Sequence, residues 1–303
     1  NTNPFFVKMK EGAEAAATTA GLDFQAYAGE KDGDAAPQIT AIENCVAAGA
    51  KGILITPSND SVGPALKDAR AAGILVIALD TPLADAEAQD ITFATDNFEA
   101  GLLIGKWAAA TMGDTSGAKI AMLDINKDNI SVDVQRDTGF LVGFGIEVPD
   151  LTVMGSETDP RVIGHESSDA NPEGGLRAME TLLAKDPDIN VIYTINEPAA
   201  EGAFQAMKNA GKEAQAIIVS VDGGCPGVAS VKSGVIGATS QQYPLKMAGL
   251  GIDAIAAYAK DGTKPTVTEG LSFFNTGVNL VTDKPAEGVP SIDTTEGTAL
   301  CWG

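Results

Sequence analysis

Between Gly52 and Pro82 the chain changes hydrophobic period twice. GILITP is an apolar run that stops at Thr56-Pro57-Ser58-Asn59. SVGPALKDARAAG then has helical spacing, and ILVIALD is apolar again up to Asp80. Runs of about six β-rich residues are too short for helices, and their alternation with helical segments reads as a βαβ unit of a parallel sheet. The pattern returns about 140 residues later, as a duplication would make it do. VIYTIN ends on Asn196, EPAAEGAFQAMKNAG is the helix, and IIVSVD ends on Asp222 before Gly223-Gly224. Ligands of open parallel sheets sit beyond the carboxyl ends of the strands. Each half therefore offers a rim with an Asn and an Asp: Asn59 and Asp80, then Asn196 and Asp222. Two such rims facing each other would make a polar cleft.

The same reading extends along the chain. A loop at Asn3-Pro4-Phe5-Phe6 leads into the helix VKMKEGAEAAATTAG, followed by a strand FQAYAG and a helix over residues 35–48 that Gly49 stops. ITFATD is a strand, and Asp96 or Asn97 caps the helix NFEAGLLIGKWAAATMG. KIAMLDIN opens a second run of strand–helix units. In it VQRDTGFLVGFG is a helix carrying Arg136, VMGSET a strand and GHESSD a polar loop. After GVIGATSQQYP come a helix over Leu245–Lys260 and two β-like portions meeting at Asn275-Thr276-Gly277. The tail EGVPSIDTTEGTALCWG has little periodicity and is expected to wrap a surface. The element count predicts an α/β chain of two doubly wound parallel-sheet domains joined by a three-segment hinge. Their expected bounds are 1–96 plus 243–273, and 97–242 plus 274–303. A strand feeding the first helix is expected before residue 1.

Composition narrows the function. At 303 residues and 44% hydrophobic content the chain suits two ordinary domains. With 20 Lys and Arg against 41 Asp and Glu, a net charge of −21 repels phosphate backbones and argues against nucleic acid. No run of 18 apolar residues predicts membrane insertion. The start NTNPFF reads as a processed product. Cys45, Cys225 and Cys301 lie too far apart for a metal-type pair. Cys45 reads as a buried residue of a helix, while Cys225 and Cys301 are candidate disulfide partners in an oxidising compartment.

Catalytic signatures are lacking. There is no P-loop, no G-x-G-x-x-G, no G-x-S-x-G and no HExxH. The single histidine, His165, reads as a surface residue, so neither a triad, a metal nor a cofactor is expected, and no enzyme. Strand-end Asp and Asn suit another task. A sugar offers hydroxyls that both donate and accept, plus apolar faces; Asp accepts, Asn and Gln do both, Arg donates in a fork, and aromatic rings cover the C–H faces.

From NTNPFFVKMKEGA through ITPSND, IALDTP, ATDNFEAG, RDTGF, TINEPAAEGA, SVDGG, ATSQQYP and TGVNLVT, the order of motifs resembles the periplasmic sugar-binding proteins of the ribose-binding type. These are the solute receptors of ABC importers. The resemblance implies the type I periplasmic binding fold, a monomer, a removed signal peptide and an importer permease as partner. It places the loop Asn and stacking rings on Asn3, Phe5 and Phe6, and the first-domain Asp on Asp80. It also implies roles for Asn196, Asp222 and the hinge residue Gln242. The family's two other arginines and third ring fall on Thr81, Val134 and Ala170, leaving Arg136 as the more structural of its pair. The altered space would admit a larger sugar, with Asn126, Asp128, Asn129 or Asn171 taking over hydrogen bonds. FFNTGVNLVTDKP and ALCWG look most like fructose-binding receptors. D-fructose is therefore expected first, with ribose, mannose or another sugar or polyol behind it. A rival is the effector half of a sugar-responsive repressor, which would need an N-terminal DNA-binding helix-turn-helix.

Overall fold

The structure, a computed structural model, describes residues 4–29 and 34–303. Helix α1 (Pro4–Ala20) opens on a proline, whose missing N–H costs nothing in a first turn. Phe5, Met9, Ala13 and Ala17 repeat every four residues and form its buried face. Then come α2 (Ala36–Ala47), β1 (Gly52–Ile55), α3 (Gly63–Ala71), β2 (Leu75–Leu79) and β3 (Ile91–Ala94). β2 is buried at every position because helices cover both faces of its sheet. Its side chains alternate accordingly. Leu75, Ile77 and Leu79 join α1 in one core, while Val76 and Ala78 pack with Leu66 and Ile42 of α3 and α2 in another. The strand expected at FQAYAG is not formed: residues 22–29 are irregular, and Gln25 and Tyr27 are exposed.

The next run comprises α4 (Asn97–Met112), β4 (Ile120–Asp124), α5 (Ser131–Phe144), β5 (Val162–Ser167), α6 (Pro172–Lys185), β6 (Val191–Thr194), α7 (Glu197–Asn209), β7 (Ile217–Asp222), α8 (Cys225–Ser233) and β8 (Ala238–Gln241). Met122, Tyr193 and Val219 point to the α4–α5 side, and Leu123, Ile192 and Ile218 to the α6–α7 side. Helices α4 and α5 interlock through glycines. A Cβ at Gly101 would lie 2.1 Å from the carbonyl oxygen of Arg136, and one at Gly139 2.2 Å from that of Phe98. VMGSET, expected as a strand, is irregular, and β5 forms nearer Ser168 from residues that read as a loop. β5 is a sheet-edge strand, half-buried throughout, so it carries polar residues where a central strand would be apolar.

Four elements complete the chain: α9 (Pro244–Asp261), β9 (Phe274–Asn275), β10 (Asn279–Val281) and α10 (Thr294–Leu300). They sort into two units. The first holds the chain through Thr95, Tyr243–Gly277 and Trp302–Gly303; the second holds Asp96–Gln242 and Val278–Cys301. The first sheet runs β1-β2-β3-β9, all parallel. The second runs β10-β8-β7-β6-β4-β5, parallel except for β10. The crossing expected before Phe274 falls after Gly277, because Phe274 and Asn275 pair with Phe93 and Ala94 in the first unit.

The tail, in which little periodicity was visible, holds a short helix and the disulfide expected of Cys225 and Cys301. Asp293 caps α10 by accepting from the N–H groups of Thr295 and Glu296. Cys301 is bonded to Cys225, with Cα atoms 4.9 Å apart. Trp302 is only 6% exposed, its ring edge-on to Phe5 at 5.3 Å.

Candidate binding rims

In the second unit β7 ends on Asp222, whose φ of 140° lies where a side chain is strained. Its neighbours hold it there. The Gln242 N–H donates to the Asp222 carbonyl at 3.0 Å, and Gln242 Nε2 donates to Oδ1 at 2.8 Å. Arg136 Nη1 lies 3.7 Å from the same oxygen. Arg136 is itself buried and fixed, donating from Nε to Asn97 Oδ1 at 2.8 Å and from Nη1 to the Ile195 carbonyl at 3.0 Å. Asp96, not Asn97, caps α4, which leaves Asn97 for this contact.

Beneath the loop that follows Asp222 lies Glu197, the first residue of α7. Its Oε1 accepts from the Gly223 N–H at 2.8 Å and the Thr239 hydroxyl at 2.7 Å, and its Oε2 from the Gly224 N–H at 3.1 Å. Burial, and then the charge of Asp222, push its carboxyl up to about 8 against those three hydrogen bonds. Sequence reasoning missed Glu197, because an acid in a first helical turn reads as a dipole partner.

The asparagines are occupied by backbone. Asn196 caps α7 through the Ala199 N–H at 3.1 Å and donates to the Ala170 carbonyl at 3.1 Å. Asn171 caps α6 through the Gly174 N–H and donates to the Asp169 carbonyl. Asn126 accepts from the Asp128 N–H in a turn. Asn129 likewise accepts from the Met154 N–H. Of the residues expected in this unit, Arg136, Asp222 and Gln242 are brought into one cluster.

In the first unit Asp80 directly follows β2 with φ 67°, the second Asp at the end of a strand in a conformation side chains avoid. Its N–H donates to the Phe93 carbonyl at 2.9 Å, and the Thr81 hydroxyl donates to its Oδ2 at 3.0 Å. Asn59 caps a short 3-10 turn through the Ser61 N–H. The two rings part company. Phe5, expected as a stacking platform, is a core residue at 6% exposure, while Phe6 is half-buried and edge-on to it at 5.3 Å. Asn3 lies outside the described residues. Hollows of about 290 Å³ beside α4 and β10, and between α2 and α3, include none of these rim residues.

His165 is not the surface residue expected. Its Nδ1 lies 2.8 Å from Asp124 Oδ2 and its Nε2 2.8 Å from Glu157 Oε1. Burial works against a charged ring here, but the carboxylates of Asp124, Glu157 and Asp137 raise it to about 11. Burial and the Asp124 charge push Asp133 up to about 7 and Asp137 well above the usual carboxylate range.

The sequence profile of the periplasmic binding protein domain matches residues 1–264. The chain is 32% identical over 251 residues to a ribose import binding protein of Haemophilus influenzae, covering 82% of this chain and 80% of that one. It is 27% identical over 271 residues to the D-allose-binding periplasmic protein of Escherichia coli, covering 86% and 82%. Among solved structures, an ABC transporter solute-binding protein from Agrobacterium vitis with bound D-fucose superposes with a TM-score of 0.74 at 26% identity, covering 96% and 97%. A periplasmic solute-binding protein from Actinobacillus succinogenes with bound D-allose superposes at 0.79, at 23% identity, covering 99% and 96%, and shows the shared fold. Among the described residues no helix is long and apolar enough to cross a membrane.

Proposed function

We propose, for a chain that belongs to the periplasmic sugar-binding proteins of the ribose type, that it is the receptor of an ABC importer and that its sugar is D-fructose. The observation that carries the receptor reading is the pair of strand-end carboxylates, Asp80 and Asp222, each held at a positive φ in its own unit. Strain of this kind costs about 1–3 kcal/mol and persists where surrounding structure over-determines it, which is typical of ligand sites. In the second unit Asp222 accepts from sugar hydroxyls, Gln242 completes the polar surface, and Arg136 orients the carboxylate. In the first, Asp80 offers a second acceptor and Phe6 a half-buried ring. Catalysis is not needed to explain any of these groups.

Thr81, Val134 and Ala170 stand where the ribose-type pattern has two guanidinium groups and a ring, so a pocket shaped for a pentose is altered. The wording of the tail favours fructose. The relatives' names point to ribose and allose, which sets the panel for the test.

That test is calorimetric titration of ligand-free protein with D-fructose, D-ribose, D-allose, D-mannose, D-glucose and D-galactose. A single saturable isotherm strongest for D-fructose, without product, is expected. Tighter binding of ribose or allose would reject the fructose assignment and keep the receptor. Silence across the panel, with no sugar found by mass spectrometry in the denatured protein, would reject fructose and move the site to another sugar or polyol.

A further inference from the structure

The groups around His165 take no part in the rims. Asp124 ends β4, His165 lies opposite Met122 on the neighbouring β5, and Asp133 and Asp137 are one turn apart on α5. Their donor atoms converge. His165 Nδ1 is 2.8 Å from Asp124 Oδ2 and 3.4 Å from Asp137 Oδ2. One atom each from Asp124, Asp137 and His165 fall within 4.8 Å of one another.

The second observation is Asp137 itself. Its side chain is 0% exposed, and neither carboxylate oxygen has a hydrogen-bond partner. Asp124 Oδ1 and the hydroxyl of the fully buried Tyr193 lack one too. Buried polar groups are nearly always satisfied, and a buried carboxylate is among the costliest to leave alone. The far side of the imidazole is set as well, with Nε2 2.8 Å from Glu157 Oε1. A metal-bearing histidine usually donates its other N–H to a carboxylate in this way, which fixes the tautomer and the ring plane.

We propose that Asp124, Asp137 and Nδ1 of His165 bind one divalent ion of the zinc class, with Glu157 orienting the ring. Two carboxylates and a neutral imidazole bring a charge of −2 to a dication, and the Nδ1 proton leaves to solvent as the ion enters. The nitrogen donor selects zinc over calcium or magnesium, whose ligands are oxygen. The ion would tie β4, β5 and α5 together, the elements that carry Arg136 to its place. No spacing motif announces the set, because its members come from three elements.

The chain's single histidine makes the test unambiguous. Chelator-treated protein labelled with ¹⁵N in the imidazole is titrated with Zn²⁺, and separately with Ca²⁺, while metal content is measured after gel filtration. One Zn²⁺ per chain and a large shift of Nδ1, with Nε2 still protonated, are expected. Asp137→Asn should lose the shift, and Glu157→Gln, at the edge of the cluster, should weaken Zn²⁺ about 10–100-fold. A wild-type Nδ1 signal that Zn²⁺ leaves in place overturns the proposal, and this arm needs no variant to fold. A shift retained in Asp137→Asn, or Ca²⁺ bound in preference without moving the ring, overturns it equally.

Discussion

Substituting Gly101 by Ala tests how the α4–α5 contact holds Arg136. The new Cβ would lie 2.1 Å from the Arg136 carbonyl oxygen and 2.8 Å from the Phe140 nitrogen. Real Cβ contacts essentially never fall below 3.0 Å, so 2.1 Å must open by about 0.9 Å. The obstructing atoms are backbone, so α5 has to move as a body. Overpacking of this kind costs about 1–3 kcal/mol. Ala regains about 1 kcal/mol over Gly in a helix interior. Since a rigid obstruction sits at the costly end of that range, a net loss of about 1–2 kcal/mol is expected in the second unit. The same displacement pulls Arg136 from Asn97 and Ile195, so sugar affinity falls as well. Urea unfolding followed by the fluorescence of Trp107, which lies buried on α4, reads the first effect, and titration reads the second. Gly117→Ala, where a Cβ meets nothing within 4 Å, is the control. A Gly101→Ala midpoint at or above wild type would refute the reasoning.

Other perturbations separate other parts of the molecule. Asp222→Gly removes the carboxylate and suits the backbone at φ 140°. Released strain of about 1–3 kcal/mol offsets the lost Gln242 and Arg136 contacts, so stability should hold while sugar affinity drops by at least about 1.5 kcal/mol; unchanged affinity would remove Asp222 from the site. Glu197 has a folded value raised from 4.5 to about 8, so the stability it contributes is complete below 4.5 and lost as pH rises through 8. Wild type should therefore lose stability between pH 5 and 8.5 by more than Glu197→Gln does, and parallel urea midpoints for the two would contradict this. Thiol counting in denaturant should find one thiol, Cys45, and reduction should cost up to about 4 kcal/mol for a closed loop of 76 residues. Trp302→Ala uncovers Phe5 and should cost about 3 kcal/mol, seen as a lower unfolding midpoint.

The parallel-sheet architecture was legible where its central strands are apolar: LVIAL is buried at all five positions, and IAMLD is apolar at four before the buried Asp124. The edge was not. β5 carries Gly164, His165 and Glu166 at half-buried positions, a composition that reads as loop until its partner strand is known. At the rims, the Asp residues stood out by recurring at strand ends, while Asn171 and Asn196 were ambiguous by chemistry alone. Pro172 and Pro198 in the first helical turns were a signal that both asparagines are caps. Phe5 could not be told from Phe6, since only the fourfold spacing with Met9, Ala13 and Ala17 decides which ring faces the core. Asp133 and Asp137, spaced to share one helix face, hinted at the buried cluster. Its other members were out of reach because they meet only through the pairing of β4 with β5.

The discontinuity of the first unit has a consequence for the order in which the protein is built. Leu75, Ile77 and Leu79 share a core with Met247, Ala248, Ile252 and Ile255 of α9, and Phe93 packs on Phe274 at 4.7 Å. During synthesis those strands wait, with one apolar face uncovered, while residues 96–242 emerge behind them. That later stretch already holds five of the six strands of its own sheet and can condense while the first is still open. Contacts between residues so distant along a chain form slowly, and exposed apolar strands invite wrong partners in the meantime. The portion made first is thus left open until α9 arrives, and that interval is when the nascent chain most needs a chaperone.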